Sequence, residues 1–133
     1  MPKFINPLSA PKAIGPYTTA VLIENGMLML SGQIALSPET GALTGQTLLD
    51  QAEVIYQNIR NILKECDYEI TDIVRIIIFT TDLSQFQALN ESYHKFLGNH
   101  KPVRTTVQVA ALPKNALVEL EVTCYKKPES GIL

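Results

Sequence analysis

Two residues of this chain, Arg104 and Glu119, have the types and settings that most readily do chemistry. Arg104 opens the alternating run TTVQVA at 105–110, the fifth strand that the sequence predicts. An arginine at a strand start can grip a carboxylate through two parallel charge-assisted hydrogen bonds, and it can equally make a surface ion pair or an interface contact. Glu119 belongs to VELEV at 118–122, where it shares a strand face with Glu121. Two acids on one face must find water or partners, so Glu119 reads either as a solvated strand residue or as an acid that orients water or moves its proton. Spacing does not join the pair. If 104–111 and 116–125 form a simple hairpin about the PKN turn, Glu119 lies opposite about residue 109 and Arg104 opposite about residue 124. A site using both would draw on another sheet connection or on a neighbouring subunit.

Other chemistries find less support. His94 and His100 join no cysteine or carboxylate pattern typical of zinc. Cys66 falls on a helix periodicity and Cys124 on an apolar strand face, so both read as packing residues. There is no GxxxxGK, GxGxxG or GxSxG sequence. Lys95, Lys101 and Arg104 are too few, and too free of interleaved aromatics, to make an RNA groove.

The elements that must position these residues are legible in order. Residues 2–18 carry Pro2, Pro7, Pro11 and Pro16 and read as an irregular lead-in held against the domain. TAVLIE at 19–24, Asn25-Gly26 and MLMLSG at 27–32 predict a hairpin. After the turn region 37–45, Leu48, Ala52, Ile55, Ile59, Ile62 and Cys66 step by three and four along one helix face. The β-branched run Ile73–Phe79 predicts a central strand. A second helix, capped by Asp82 or Ser84, is expected to bury Phe86, Leu89, Tyr93, Phe96 and Leu97 and to end by Gly98 and Pro102. In ALVELEVTCY at 116–125, Val118, Leu120, Val122 and Cys124 share one face. The order ββαβαββ puts two helices on one side of a mixed sheet, an α+β layer. The other sheet face, with Leu117, Met27 or Met29, and Tyr125, is left for oligomerisation to cover.

A length of 133 residues fits one domain, 1–133, with a lead-in at 1–18 and a short tail at 126–133. A net charge of -2 supplies no field for phosphate backbones or anionic lipid, so no stable nucleic-acid or membrane partner is expected. Two cysteines without a disulfide framework, and no secretory apolar core before the prolines, point to a reduced, cytoplasmic chain.

Four segments together carry a specific likeness: AIGPYTTA at 13–20, LSGQIAL at 30–36, FTTDLSQFQALNESY at 79–93 and PVRTTVQVAALPKNALVELEV at 102–122. The chain resembles the RidA/YjgF family of reactive-intermediate deaminases from about Phe4 to Lys126. The resemblance implies a chorismate-mutase-like fold, a homotrimeric barrel with helices outside, and ligand sites in the three clefts between subunits. It implies hydrolysis of enamines and imines such as 2-aminoacrylate/2-iminopropanoate and 2-iminobutanoate to 2-oxo acids and ammonia. These intermediates come from PLP-dependent dehydratases, and the deaminase itself needs neither that cofactor nor a metal. Carried over by motif, Arg104 grips the substrate carboxylate and Glu119 orients or activates water. Thr106 adds polar contacts, while Tyr17, Ser31 and Asn90 shape the cleft and its water network. The pattern departs at Ala111, where many relatives carry Arg, at TTVQV for the frequent SCVEV, and at Thr18-Thr19. Thr106 in place of a frequent cysteine argues against obligatory thiol chemistry. A noncatalytic trimer binding a small carboxylate for regulation is the alternative reading, with a ribonuclease or translation inhibitor behind it.

Overall fold

The computed structural model describes residues 1–128, so the last part of the expected tail, 129–133, lies outside the described residues. Six strands, β1 (Lys3–Ile5), β2 (Ala20–Leu22), β3 (Met27–Leu30), β4 (Ile73–Thr80), β5 (Val103–Gln108) and β6 (Val118–Tyr125), form one sheet. Two helices, α1 (Leu48–Glu65) and α2 (Phe86–Leu97), pack on one of its faces. The sheet order is β1-β2-β3-β6-β4-β5, with β4 and β5 parallel and the other pairs antiparallel.

The helices form where the apolar steps predict them. Thr47 caps α1 by accepting a 3.1 Å hydrogen bond from the Asp50 amide. The face Leu48, Ala52, Ile55, Ile59 and Ile62 is fully buried on the sheet, while Cys66, just past the helix end, is half-buried. Val118, Leu120, Val122 and Cys124 meet that face, as the alternation of β6 requires, and burial pushes the Cys124 thiol up to about 12. Burying side chains of this size contributes about 1.5–3 kcal/mol each. Between the helices, Tyr56 and Phe96 stack at 4.4 Å. Buried amides lock the connections: Gln51 donates to the Gly45 carbonyl and accepts from the Leu117 amide, and Asn58 donates to the Leu36 carbonyl at 2.8 Å.

Two expectations need correction, and one conditional pairing is decided. The lead-in 2–18 is not wholly irregular, because Lys3–Ile5 pairs antiparallel with β2. No hairpin joins β5 to β6, since β4 lies between them and pairs with both. The most apolar strand takes an interior position, next to the edge strand, where both its edges are satisfied. The connection 109–117 then spans two strand spacings, about 10 Å, hung on the end of β4 by Val109 N–H to Thr80 O and Thr81 N–H to Leu117 O. Phe86, expected in the core, is 41% exposed. Asp82 does cap the entry to α2, through a 3-10 turn at Leu83–Gln85 that precedes the helix.

The register fixes which way each candidate residue faces. Ile76 aligns with both Val122 and Arg104, and Phe79 with both Glu119 and Val107. Ile76 and Val122 are buried under the helices, so Arg104 and Thr106 also point to the helix side. Glu119 and Glu121 point to the open face. That face exposes Phe4, Met29, Val103, Val107 and Tyr125.

Candidate active site

Glu119 is placed by two contacts made far apart in sequence. Gln33 and Leu120 exchange backbone hydrogen bonds, 2.7 Å from the Gln33 amide and 3.0 Å from the Leu120 amide, which lays the segment Ser31–Gln33 along β6. Gly32 consequently sits against the Glu119 side chain, so closely that a Cβ there would collide with the carboxylate. No larger residue leaves the acid where it is. Around it, Ile14, Gly15, Tyr17, Ser31, Ile34 and Pro113 line a cleft of about 410 Å³. Ser31 is held by donating to the Thr18 carbonyl at 2.6 Å, and the Tyr17 hydroxyl accepts from the Ile14 amide at 3.3 Å. Glu119 is half-buried, and burial first, then the Glu121 charge on the same face, hold its carboxyl above the usual carboxylate value. A carboxyl so tuned, at the wall of an open cleft, is suited to exchanging a proton with water.

Arg104 builds a second centre on the helix side of β5, which is an edge strand. Its guanidinium carbon lies 4.9 Å from the Tyr93 ring centroid and 5.5 Å from that of Phe86. Among the described residues no carboxylate comes within 4.0 Å of it. Nearby elements carry three buried side-chain atoms without a hydrogen-bond partner, Asn90 Oδ1, Tyr93 Oη and Thr106 Oγ1. Buried polar atoms are almost always paired, so these three, on α2 and β5, stand out in having no protein partner.

The residues expected at one site thus fall into two groups. Tyr17, Ser31 and Glu119 line one cleft, whereas Asn90, Arg104 and Thr106 do not line it and lie on the helix side near the β5 edge. Arg104 and Glu119 belong to opposite faces of the sheet, with β4 between their strands. A single copy does not bring the two groups together. Sequence reasoning did not assign Gly32, Phe86 or Tyr93 to the site. The seven-residue spacing of Phe86 and Tyr93, which returns both to one side of α2, was the available signal for that pair.

The sheet thus carries, at its edge, an arginine with no carboxylate partner and, on its open face, a half-buried acid in a cleft, within a small α+β layer. Comparison with known proteins makes this specific. The family model described as Endoribonuclease L-PSP matches residues 7–126. Over 112 residues the chain is 40% identical to Reactive Intermediate Deaminase A, chloroplastic, of Arabidopsis thaliana, covering 84% of this chain and 59% of that one. It superposes on the crystal structure of RidA from the Antarctic bacterium Psychrobacter sp. PAMC 21119 with a TM-score of 0.88, 38% identity and coverage of 93% and 99% of the two chains. The structure of E. coli TdcF with bound serine gives a TM-score of 0.85, 35% identity and coverage of 94% and 99%. The chain belongs to the RidA/YjgF family.

Among the described residues no helix is long and apolar enough to cross a membrane, and no three His, Cys, Asp or Glu side chains gather to hold a metal ion.

Proposed function

We propose that this protein hydrolyses small 2-imino and enamine carboxylic acids to 2-oxo acids and ammonia, in clefts formed where copies of the chain meet in a homotrimer. Membership of the RidA/YjgF family supports a deaminase-type reaction on small reactive imines and enamines. The observation that carries the reading is the division of chemistry between two surfaces: a cation with no acid partner at a sheet edge, and a proton-tuned acid in a cleft on the other face. The exposed apolar residues of the open face are what a barrel of three sheets would cover. Packing this way, one copy's Arg104 edge would meet another copy's Glu119 cleft.

In the assembled cleft Arg104 grips the substrate carboxylate with its forked N–H donors. Glu119 accepts a proton from a water molecule as the water oxygen attacks the protonated imine carbon, forming a tetrahedral amino alcohol. Glu119 returns that proton to the nitrogen, the C–N bond breaks, and ammonia leaves as Glu119 takes up the hydroxyl proton and the carbonyl forms; passing that proton to the departing ammonia, as ammonium, resets the carboxylate. Water supplies the oxygen, and no oxidant or reductant enters. Thr106 and Asn90 contribute polar contacts near the carboxylate, while Tyr17 and Ser31 wall the water side. PLP-dependent dehydratases would supply such substrates. The TdcF structure holds serine, a stable amino acid, which also fits a regulatory carboxylate-binding reading.

Decay of enzymatically generated 2-iminopropanoate, followed with pyruvate formation, separates the two. Acceleration by the wild type that Arg104→Ala loses supports the deaminase. Binding of small carboxylates without acceleration moves the chain to the regulatory reading.

A further inference from the structure

We infer that Phe86 and Tyr93 are positioning residues that hold the Arg104 guanidinium ready for a carboxylate without occupying its hydrogen-bond donors. The inference rests on Arg104 acting as the carboxylate grip of the proposed reaction. Both rings stand on α2, seven residues and about two turns apart, and both reach the same cation at 5.5 and 4.9 Å. These distances lie inside the range of about 6 Å over which an aromatic face attracts a guanidinium. Phe86 gives up burial to be there, since it is 41% exposed at a position where helix periodicity asks for a core residue.

An acid would hold Arg104 more strongly, but it would take the same N–H fork that a substrate carboxylate needs. A ring face attracts the charge and leaves those donors free. An arginine side chain left to itself also samples many rotamers, and fixing them costs affinity when the ligand arrives. Two ring contacts made beforehand remove part of that cost. The contribution therefore acts on carboxylate binding, and its loss raises KM while kcat changes little.

The test compares Phe86→Leu and Tyr93→Leu with the ring-preserving Phe86→Tyr and Tyr93→Phe, reading kcat and KM for 2-iminopropanoate and the calorimetric Kd for pyruvate. Each Leu variant is expected to raise KM and the pyruvate Kd by about tenfold, with kcat within about threefold, and each ring-preserving variant to restore both. Should Tyr93→Leu melt early, Phe86→Leu carries the test, because an exposed ring is not needed for folding. Unchanged KM and Kd in folded Leu variants overturn the inference. A Tyr93→Phe loss as large as that of Tyr93→Leu also overturns it, by assigning the effect to the hydroxyl. Pyruvate binding that weakens in the Leu variants, in a protein that turns over no imine, upholds the positioning role and removes the proposed reaction. A wild type that neither binds pyruvate nor hydrolyses the imine removes both.

Discussion

Replacing Gly32 by alanine should cripple turnover while sparing the fold. The added Cβ would lie 2.8 Å from Glu119 Cδ and 3.3 Å from its Cγ, nearest of all to Oε2. Ordinary contact begins at 3.4 Å, so the carboxyl carbon must retreat by 3.4 − 2.8, about 0.6 Å, and the oxygen beyond it further. Since the acid borders an open cleft, the side chain can swing away at little cost to stability, carrying the carboxylate about 1 Å off its position. A displacement of that size costs on the order of 10²-fold in a step that depends on oriented groups. Stopped-flow decay of 2-iminopropanoate gives kcat for Gly32→Ala, and a thermal melt reports the fold. We expect kcat to fall by roughly two orders of magnitude and Tm to move by no more than about 4 °C. A folded variant with wild-type kcat would refute the placement of water activation at Glu119.

Glu121→Gln should shift the acid side of the pH–rate profile. Water activation needs ionised Glu119, so activity falls as pH drops through its raised pKa; removing the Glu121 charge lowers that pKa, burial remaining, and the acid limb moves to lower pH. An unmoved limb assigns the titration to another group. Met29→Lys places a charge on the exposed apolar sheet face and should give smaller particles by light scattering, with helix content kept and activity lost. Between the end of α1 and the lead-in, Glu65 accepts hydrogen bonds from Ser9 Oγ at 2.7 Å and from the amides of Leu8 and Ser9, which hold its carboxyl below the usual value. This tether is fully present above the unfolded carboxyl pKa and is lost as pH falls through the lowered one, so Leu8 and Ser9 amides should exchange faster in Glu65→Gln at neutral pH. Exchange equal to wild type means that the lead-in is held by other contacts.

Much of the fold is written locally. The three- and four-residue steps of α1 and the strict alternation of β6 each bury the face their period selects, because one apolar stripe has one place to go. Strand β1 escaped notice because Lys-Phe-Ile between prolines has no period to read, and only its pairing with β2 makes it a strand. The hairpin of β5 and β6, which the sequence left conditional, does not form, and for the opposite reason. A genuine turn signal, LPKN, says nothing about whether a third strand comes between, and the apolar run of β4 took that place. At the site, Glu119 and Arg104 were legible as residue types and simple pairing did not join them, but their placement on opposite faces of the sheet follows only from the registers of β4 with β5 and β6. The contact of Gly32 with Glu119 was not legible, since it depends on the bridge between Gln33 and Leu120, residues far apart in the chain.

The most direct measurement mixes two inactive variants. Arg104→Ala and Glu119→Gln, unfolded and refolded together in equal amounts, give trimers in which about a quarter of the clefts combine an intact Arg104 from one copy with an intact Glu119 from another. A site shared between subunits predicts that each variant alone hydrolyses 2-iminopropanoate negligibly and that the mixture recovers about 25% of wild-type activity per chain. A mixture as inactive as its components, beside wild type that refolds to full activity, would contradict a cleft built from two copies of this chain.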